Sequence, residues 1–237
     1  MKSLTDFVLV HGGAHAGWCW EPMIPHLREN PRVGEVLALD LVGHGSRLKE
    51  KPLDEITLED YVHDIANALQ ELPNVVLVGH SLAGVSVPQA IARVPEHVKR
   101  VVLISATVPP DGQSAMDTMK VMREFGVILG PSTGEEFEEW ARRSFCSDMD
   151  ESTSRWVIKS LGPEPRLPLA TPVSYIDLPT NIPLTYIVLT ADQVLTAELQ
   201  RWMSRNLDCA EVVEMEAGHD AMVSRPRELA SVLLEYV

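Results

Sequence analysis

A serine at position 81 and a histidine at position 219 are the residues of this chain with the clearest chemistry, and each stands just past a run that reads as a strand. Val75-Val76-Leu77-Val78-Gly79-His80-Ser81-Leu82-Ala83-Gly84 reads as a buried strand, a sharp turn and the start of a helix. Small residues two before and two after the serine, Gly79 and Ala83, permit a turn tight enough to hold its hydroxyl out over the sheet edge. The helix that follows directs backbone N–H groups at the same place, which makes the Leu82 amide a candidate oxyanion donor. A serine nucleophile needs a base and a group to orient that base. Asp192 follows the run Leu184 to Thr190, and His219 follows Glu211 to Met215, so the chain order is Ser, Asp, His. Neutral His219 would take the Ser81 proton during attack on an ester carbonyl, while Asp192 fixes the tautomer and stabilises the imidazolium.

The second half of an oxyanion hole is expected after the first strand, where Val10-His11-Gly12-Gly13 offers the amide of Gly13. His11 is read as holding that loop. His15 and His44 lie on loops over the same edge, where substrate contact and loop packing both fit, and His15 is carried as a substrate contact. Asp40 also follows a strand but is read as bonding its own turn, and Asp111, Asp177 and Asp220 rank below Asp192 because they lack its strand-end placement. His80 sits inside the nucleophile turn and cannot swing round to act as its base.

These groups need a scaffold that brings strand ends together. Strand patterns at Phe7 to His11, Glu35 to Asp40, Val75 to Gly79, Arg100 to Ala106, Leu184 to Thr190 and Glu211 to Met215 alternate with helical patterns. That alternation predicts an α/β fold with a mostly parallel sheet flanked by helices. Thr57-Leu58-Glu59-Asp60 announces one helix with a capping-box variant, and others are expected over Trp18 to Glu29, Ser81 to Arg93, Ala197 to Asn206 and Arg225 to Tyr236. Pro88 should kink the second of these.

The alternation stops between Pro109 and Pro183, so the chain reads as one domain over 1–237, with a core of 1–109 and 183–237 and a helical cap inserted at about 110–182. Phe125, Phe137, Trp140, Phe145 and Trp156 are expected mostly in the core of that cap, with Trp140 taken toward the substrate. Glu135, Glu136, Glu138 and Glu139 are expected on a solvated helix face.

Composition narrows the function classes. Asp and Glu number 34 against 20 Lys and Arg, and the net charge of -14 repels phosphate backbones and anionic lipid, so neither nucleic acid nor membrane is an expected partner. Three scattered cysteines suggest neither a disulfide framework nor a metal site, and no cofactor is called for. With no basic start and apolar segment before the first strand, the chain is read as soluble, unprocessed and cytoplasmic, with a homodimer left open.

The motifs Phe7-Val8-Leu9-Val10-His11-Gly12, Gly17-Trp18-Cys19-Trp20, Leu39-Asp40-Leu41, Gly79-His80-Ser81-Leu82, Leu199-Gln200-Arg201-Trp202-Met203 and His219 with Met222, Ser224 and Pro226 run nearly end to end. In them the chain resembles the α/β-hydrolase superfamily, and within it the plant methylesterase and hydroxynitrile lyase family and its bacterial esterase relatives. The resemblance implies an α/β-hydrolase fold, the triad Ser81, Asp192 and His219, and Gly13 with Leu82 as oxyanion donors. Lyases of that family carry Thr, Cys and Lys where this chain has Gly12, Leu82 and Asp220. A carboxylate after the base would repel cyanide, and Gly12 leaves room for the alcohol half of an ester. The expected function is a cofactor-independent serine esterase acting on a small or medium apolar ester or a lactone. A ligand receptor on the same fold, or a lyase or cofactor-free oxygenase using His219 as base, are the alternatives.

Overall fold

Runs of Val, Ile and Leu form the strands of one sheet in the computed structural model, which describes residues 4–127 and 130–237. Residues 1–3 and 128–129, counted above in the core and the insertion, lie outside the described residues. The strands are β1 (Thr5–Val10), β2 (Val33–Ala38), β3 (Val75–His80), β4 (Val98–Ile104), β5 (Leu184–Leu189) and β6 (Glu211–Met215). The helices in the first half are α1 (Ile24–Arg28), α2 (Leu58–Gln70), α3 (Val87–Ile91), α4 (Ala115–Glu124) and α5 (Phe137–Phe145). After them come α6 (Glu151–Ser160), α7 (Arg166–Ala170), α8 (Ala197–Ser204), α9 (Ala221–Ser224) and α10 (Pro226–Leu234).

The strands pair in parallel in the order β2-β1-β3-β4-β5-β6. β1, β3 and β5 are buried along their whole length, as expected where helices cover both faces of a parallel sheet. Val8, Val10 and Leu77 join one core layer with Tyr61, Ile65 and Leu69 of α2, while Phe7, Leu9 and Val78 join the other with Leu27, Leu229 and Leu233. The α2 start is fixed by the expected capping box, in which Thr57 and Asp60 bond each other's backbone N–H.

From β1 the chain crosses to β2 on one side and then returns to β3 on the other, so the winding reverses between β1 and β3. Loops leaving the carboxyl ends of these strands part there and leave a crevice. Gly12 and Gly13 leave β1 and Ser81 leaves β3, which puts all three at this point.

Two helix expectations are corrected, both through proline. The segment expected as a helix over Trp18 to Glu29 is a 3₁₀ turn at Gly17–Trp20 followed by α1, with Pro25 in the first turn of α1. The segment from Ser81 is likewise a 3₁₀ turn at Ser81–Val85 followed by α3, with Pro88 in the first turn. Proline lacks the N–H that a helix interior needs but fits a first turn, so the helix restarts and no kink arises at Pro88.

Helices α4 to α7 occupy the stretch between β4 and β5. Of its aromatics, Phe145 is buried, but Phe137 and Trp156 are 50% and 37% exposed, which corrects the expectation that most are core. Each of these two rings packs on one side only, Phe137 against Trp140 at 5.5 Å and Trp156 against Trp18 at 5.2 Å between centroids. Glu135 and Glu136 precede α5 instead of lying on it, and Glu135 accepts from Ser132 N–H at 2.9 Å. Among the described residues no helix is long and apolar enough to cross a membrane.

Candidate active site

The turn from β3 into the following 3₁₀ segment forces Ser81 to φ 51°, in the left-handed region where a non-glycine residue is strained. Crowding shows why small neighbours are needed. A Cβ at Gly79 would lie 2.9 Å from Val87 Cγ2 and 3.3 Å from Ala83 Cβ, and one at Gly12 would lie 2.6 Å from Ser81 Cβ. The Ser81 carbonyl accepts from Thr107 N–H at 2.8 Å, which ties the strained turn to the chain beyond β4.

Ser81 Oγ is 3.0 Å from His219 Nε2, and His219 Nδ1 is 2.7 Å from Asp192 Oδ2. The residues singled out in the sequence thus form one hydrogen-bonded row. Asp192 is held from four further directions. Its Oδ1 accepts from the amides of Val194 at 2.6 Å and Leu195 at 2.9 Å, and its Oδ2 from Ser105 Oγ at 2.6 Å and Gln200 Nε2 at 3.4 Å. The same Gln200 amide also spans the Leu189 backbone, accepting from its N–H at 2.8 Å and donating to its carbonyl at 3.0 Å. Sequence reasoning missed Ser105 and Gln200 as supports. Ser105 lies inside the run Arg100 to Ala106 that reads as a strand, and only the end of β4 at Ile104 sets it at a strand end.

Gly13 faces the turn that carries Leu82: a Cβ on Gly13 would sit 3.3 Å from Leu82 Cδ2. The loop after β1 that carries Gly13 is held by two histidines. His11 Nδ1 lies 2.8 Å from the Gly12 carbonyl, His15 Nδ1 lies 2.8 Å from that of Gly13, and His11 Nε2 accepts from Leu41 N–H at 3.3 Å. Burial, reinforced by the neighbouring His44 ring, pushes His11 down to about 3, so it is a neutral loop-holding ring. Asp40 is likewise held in its own turn, accepting from Gly17 N–H and Ser46 N–H at 2.8 Å each.

His15 does not line open space. It is buried, and its Nε2 meets Asp220 Oδ2 at 2.9 Å beneath the loop, so both its nitrogens are occupied and the substrate-contact expectation is corrected. Burial alone would lower the His15 pKa and raise that of Asp220. Their mutual attraction outweighs it, leaving His15 raised and Asp220 lowered. Trp140 is one ring removed from the base, since it meets Phe145 at 5.3 Å between centroids and Phe145 lies 5.8 Å from the His219 ring. Gly12 borders a hollow of about 10 Å³ that Leu82, His44, Tyr61 and Glu164 also line. A groove of about 790 Å³ lies beyond Asp192, between the α5 region and the start of α8, and its lining includes neither Ser81 nor His219.

His80, His219 and Asp220 have ligand atoms within 4.8 Å of one another, a spacing a metal ion can use. Both His219 nitrogens are already engaged by Ser81 and Asp192, so an ion there would break the row. His80 Nε2 lies 2.9 Å from the His219 carbonyl, and burial together with the His219 ring drives the His80 pKa well below its ordinary value.

A serine hydroxyl bonded to an imidazole, itself bonded to a carboxylate, can attack a carbonyl carbon and shuttle the proton to a leaving group. A sequence model described as the alpha/beta hydrolase family matches residues 7–232. Salicylic acid-binding protein 2 of Nicotiana tabacum is 29% identical over 261 residues, covering 99% of this chain and 98% of that protein. Methylesterase 1 of Arabidopsis thaliana is 31% identical over 259 residues, covering 99% and 96%. Among solved structures, polyneuridine aldehyde esterase is similar with a TM-score of 0.81 at 25% identity, covering 98% of this chain and 99% of that one.

Proposed function

The chain belongs to the alpha/beta hydrolase family, and on that premise we propose that it is a serine esterase that cleaves a carboxylic ester through an acyl-enzyme on Ser81. The observation that carries this reading is the hydrogen-bonded row Ser81, His219, Asp192 on a strained turn at the switch point of the sheet. Ser81 Oγ bonds to the ester carbon as its proton passes to His219 Nε2. The carbonyl oxygen takes the negative charge and is met by the amides of Gly13 and Leu82. Collapse expels the alcohol with the proton from His219, and water then repeats the two steps on the acyl group. Asp192 holds the imidazole and offsets its positive charge.

Small or medium apolar esters, and lactones as internal esters, are the proposed substrates. Methyl-ester relatives support that range. The lyase reading is not favoured, because Asp220, which follows the base, is a carboxylate held by His15 and offers departing cyanide no positive charge. A panel of p-nitrophenyl, methyl-ester and lactone substrates tests the proposal. Hydrolysis of at least one class, lost in Ser81→Ala, is expected; equal turnover in both proteins, or faster cyanide release from mandelonitrile, would overturn it.

A further inference from the structure

Glu164 stands in Gly162-Pro163-Glu164-Pro165, the turn that leads into α7, and its flanking prolines restrict that backbone to extended conformations. The turn grips the loop after β1. Ala14 N–H donates to Glu164 Oε2 at 2.8 Å, and Gly162 N–H donates to the Ala14 carbonyl at 2.8 Å. Ala14 has φ 62°, a left-handed conformation that L side chains disfavour, and both of its backbone polar groups are therefore held from the α7 side. Its neighbour is Gly13. A Cβ built on Gly13 would lie 3.2 Å from that same Oε2 and 3.3 Å from the Leu82 side chain, so the carboxyl packs against the backbone of one proposed oxyanion donor.

We infer that Glu164 is a positioning residue for the oxyanion loop, clamping Ala14 together with Gly162. This inference rests on the serine-esterase reading. The groups facing Glu164 are Tyr61 from α2, His44 from the loop after β2, and His15 from the oxyanion loop. Tyr61 donates to Oε1 at 3.3 Å and lies 2.7 Å from His44 Nε2, while His11 lines the same small hollow. Burial pushes His44 down to about 4, so neither it nor His11 brings charge at neutral pH, and His15 is paired with Asp220. Burial also pushes the Glu164 carboxyl up to about 7, against the Ala14 and Tyr61 hydrogen bonds that favour its anion. Below that pH the neutral acid still offers an oxygen to Ala14 N–H. Above it, a negative charge sits beside the place where the oxyanion must form, which opposes the reaction.

The test compares the parent protein with Glu164→Ala and Glu164→Gln, with Ser81→Ala as blank, on p-nitrophenyl butyrate from pH 5.5 to 9. Hydrogen exchange of the peptide containing Ala14 is followed in the same proteins. Glu164→Ala should lower kcat about 10- to 100-fold with KM within about threefold, since loop misplacement harms the transition state more than binding. Glutamine keeps an oxygen for Ala14 without a charge. It should hold kcat within about threefold of the parent at pH 6 and remove the fall in activity that the parent shows above pH 7. Exchange at Ala14 should quicken in Glu164→Ala and stay unchanged in Glu164→Gln. Parental kcat in the alanine variant, a retained alkaline fall in the glutamine variant, or unchanged exchange in the alanine variant would overturn the inference. A parent without Ser81-dependent turnover would instead overturn the esterase reading, and the exchange measurement would still decide the clamp.

Discussion

The carboxylate of Asp192 and the carboxylates of α5 and α6 show two ways of holding charge. Around Asp192, donors from β4's end, the loop after β5, α8 and His219 converge on one buried group. On α5 and α6, Arg142 bridges the exposed Glu138 and Glu151, and Arg143 reaches back to Glu135 ahead of α5. A buried network fixes geometry because each member left unpaired costs a full desolvation penalty, whereas exposed pairs trade protein contacts for water at little cost. The chemistry proposed here therefore sits in the rigid region, and the helical segment reaches its loops through Asp148, Gly162, Glu164 and Phe145.

The sharpest way to break this contrast is Ser81→Ala. It should lower ester turnover by about 10⁴- to 10⁶-fold with the thermal midpoint within a few degrees of the parent. Retained activity within a few fold would remove the buried row from the chemistry. Next in size is Gly12→Ala, whose new methyl would meet Ser81 Cβ at 2.6 Å and His80 Nδ1 at 3.1 Å. A displacement of the nucleophile approaching 1 Å should cost about 100-fold in kcat/KM, and activity near the parent's would mean the crevice is looser than these contacts require.

Asp220→Asn probes the buried region through stability. Leaving His15 without its anion should cost about 3 to 5 kcal/mol, read by urea unfolding. The sign with pH follows from the two partners. The raised His15 pKa makes the pair's contribution full below the ordinary 6.5 and lost as pH rises through the raised value. The lowered Asp220 pKa keeps that contribution above the ordinary 3.8 and loses it as pH falls through the lowered value. The parent and variant should therefore differ most near pH 5.5 and less at pH 9, and a gap that widens with pH would contradict the pair. The smallest effect is expected from Arg142→Ala on the helical segment. Loss of its exposed pairs should change unfolding free energy by less than about 1 kcal/mol and fade further in salt. A loss as large as that of Asp220→Asn would erase the distinction between the regions.

Strands were readable because their signal is local. The Val-rich runs Phe7 to Val10 and Val75 to Val78 cannot face water on either side, so they mark the sheet without knowledge of neighbours. Helix limits were less readable at Pro25 and Pro88, where residues on both sides favour helix and only the 3₁₀ turns before them decide the restart. In the sequence Trp140 is taken toward the substrate, whereas the packing of α5 turns Phe145 to the His219 ring and leaves Trp140 behind it.

What the sequence determined by itself was the order of the strands' buried runs and the chemistry at their ends: a serine in a small-residue turn, then an acid, then a histidine. Those features depend on backbone strain and side-chain size within a few residues. Only the tertiary structure decided which polar groups answer one another. Asp220 meets His15 across 205 residues of chain, and Glu164 meets Ala14 across 150. In a low-dielectric interior the state of an ionisable group is set by the few atoms within hydrogen-bond reach, and that distance is a property of the fold, with no counterpart in spacing along the chain.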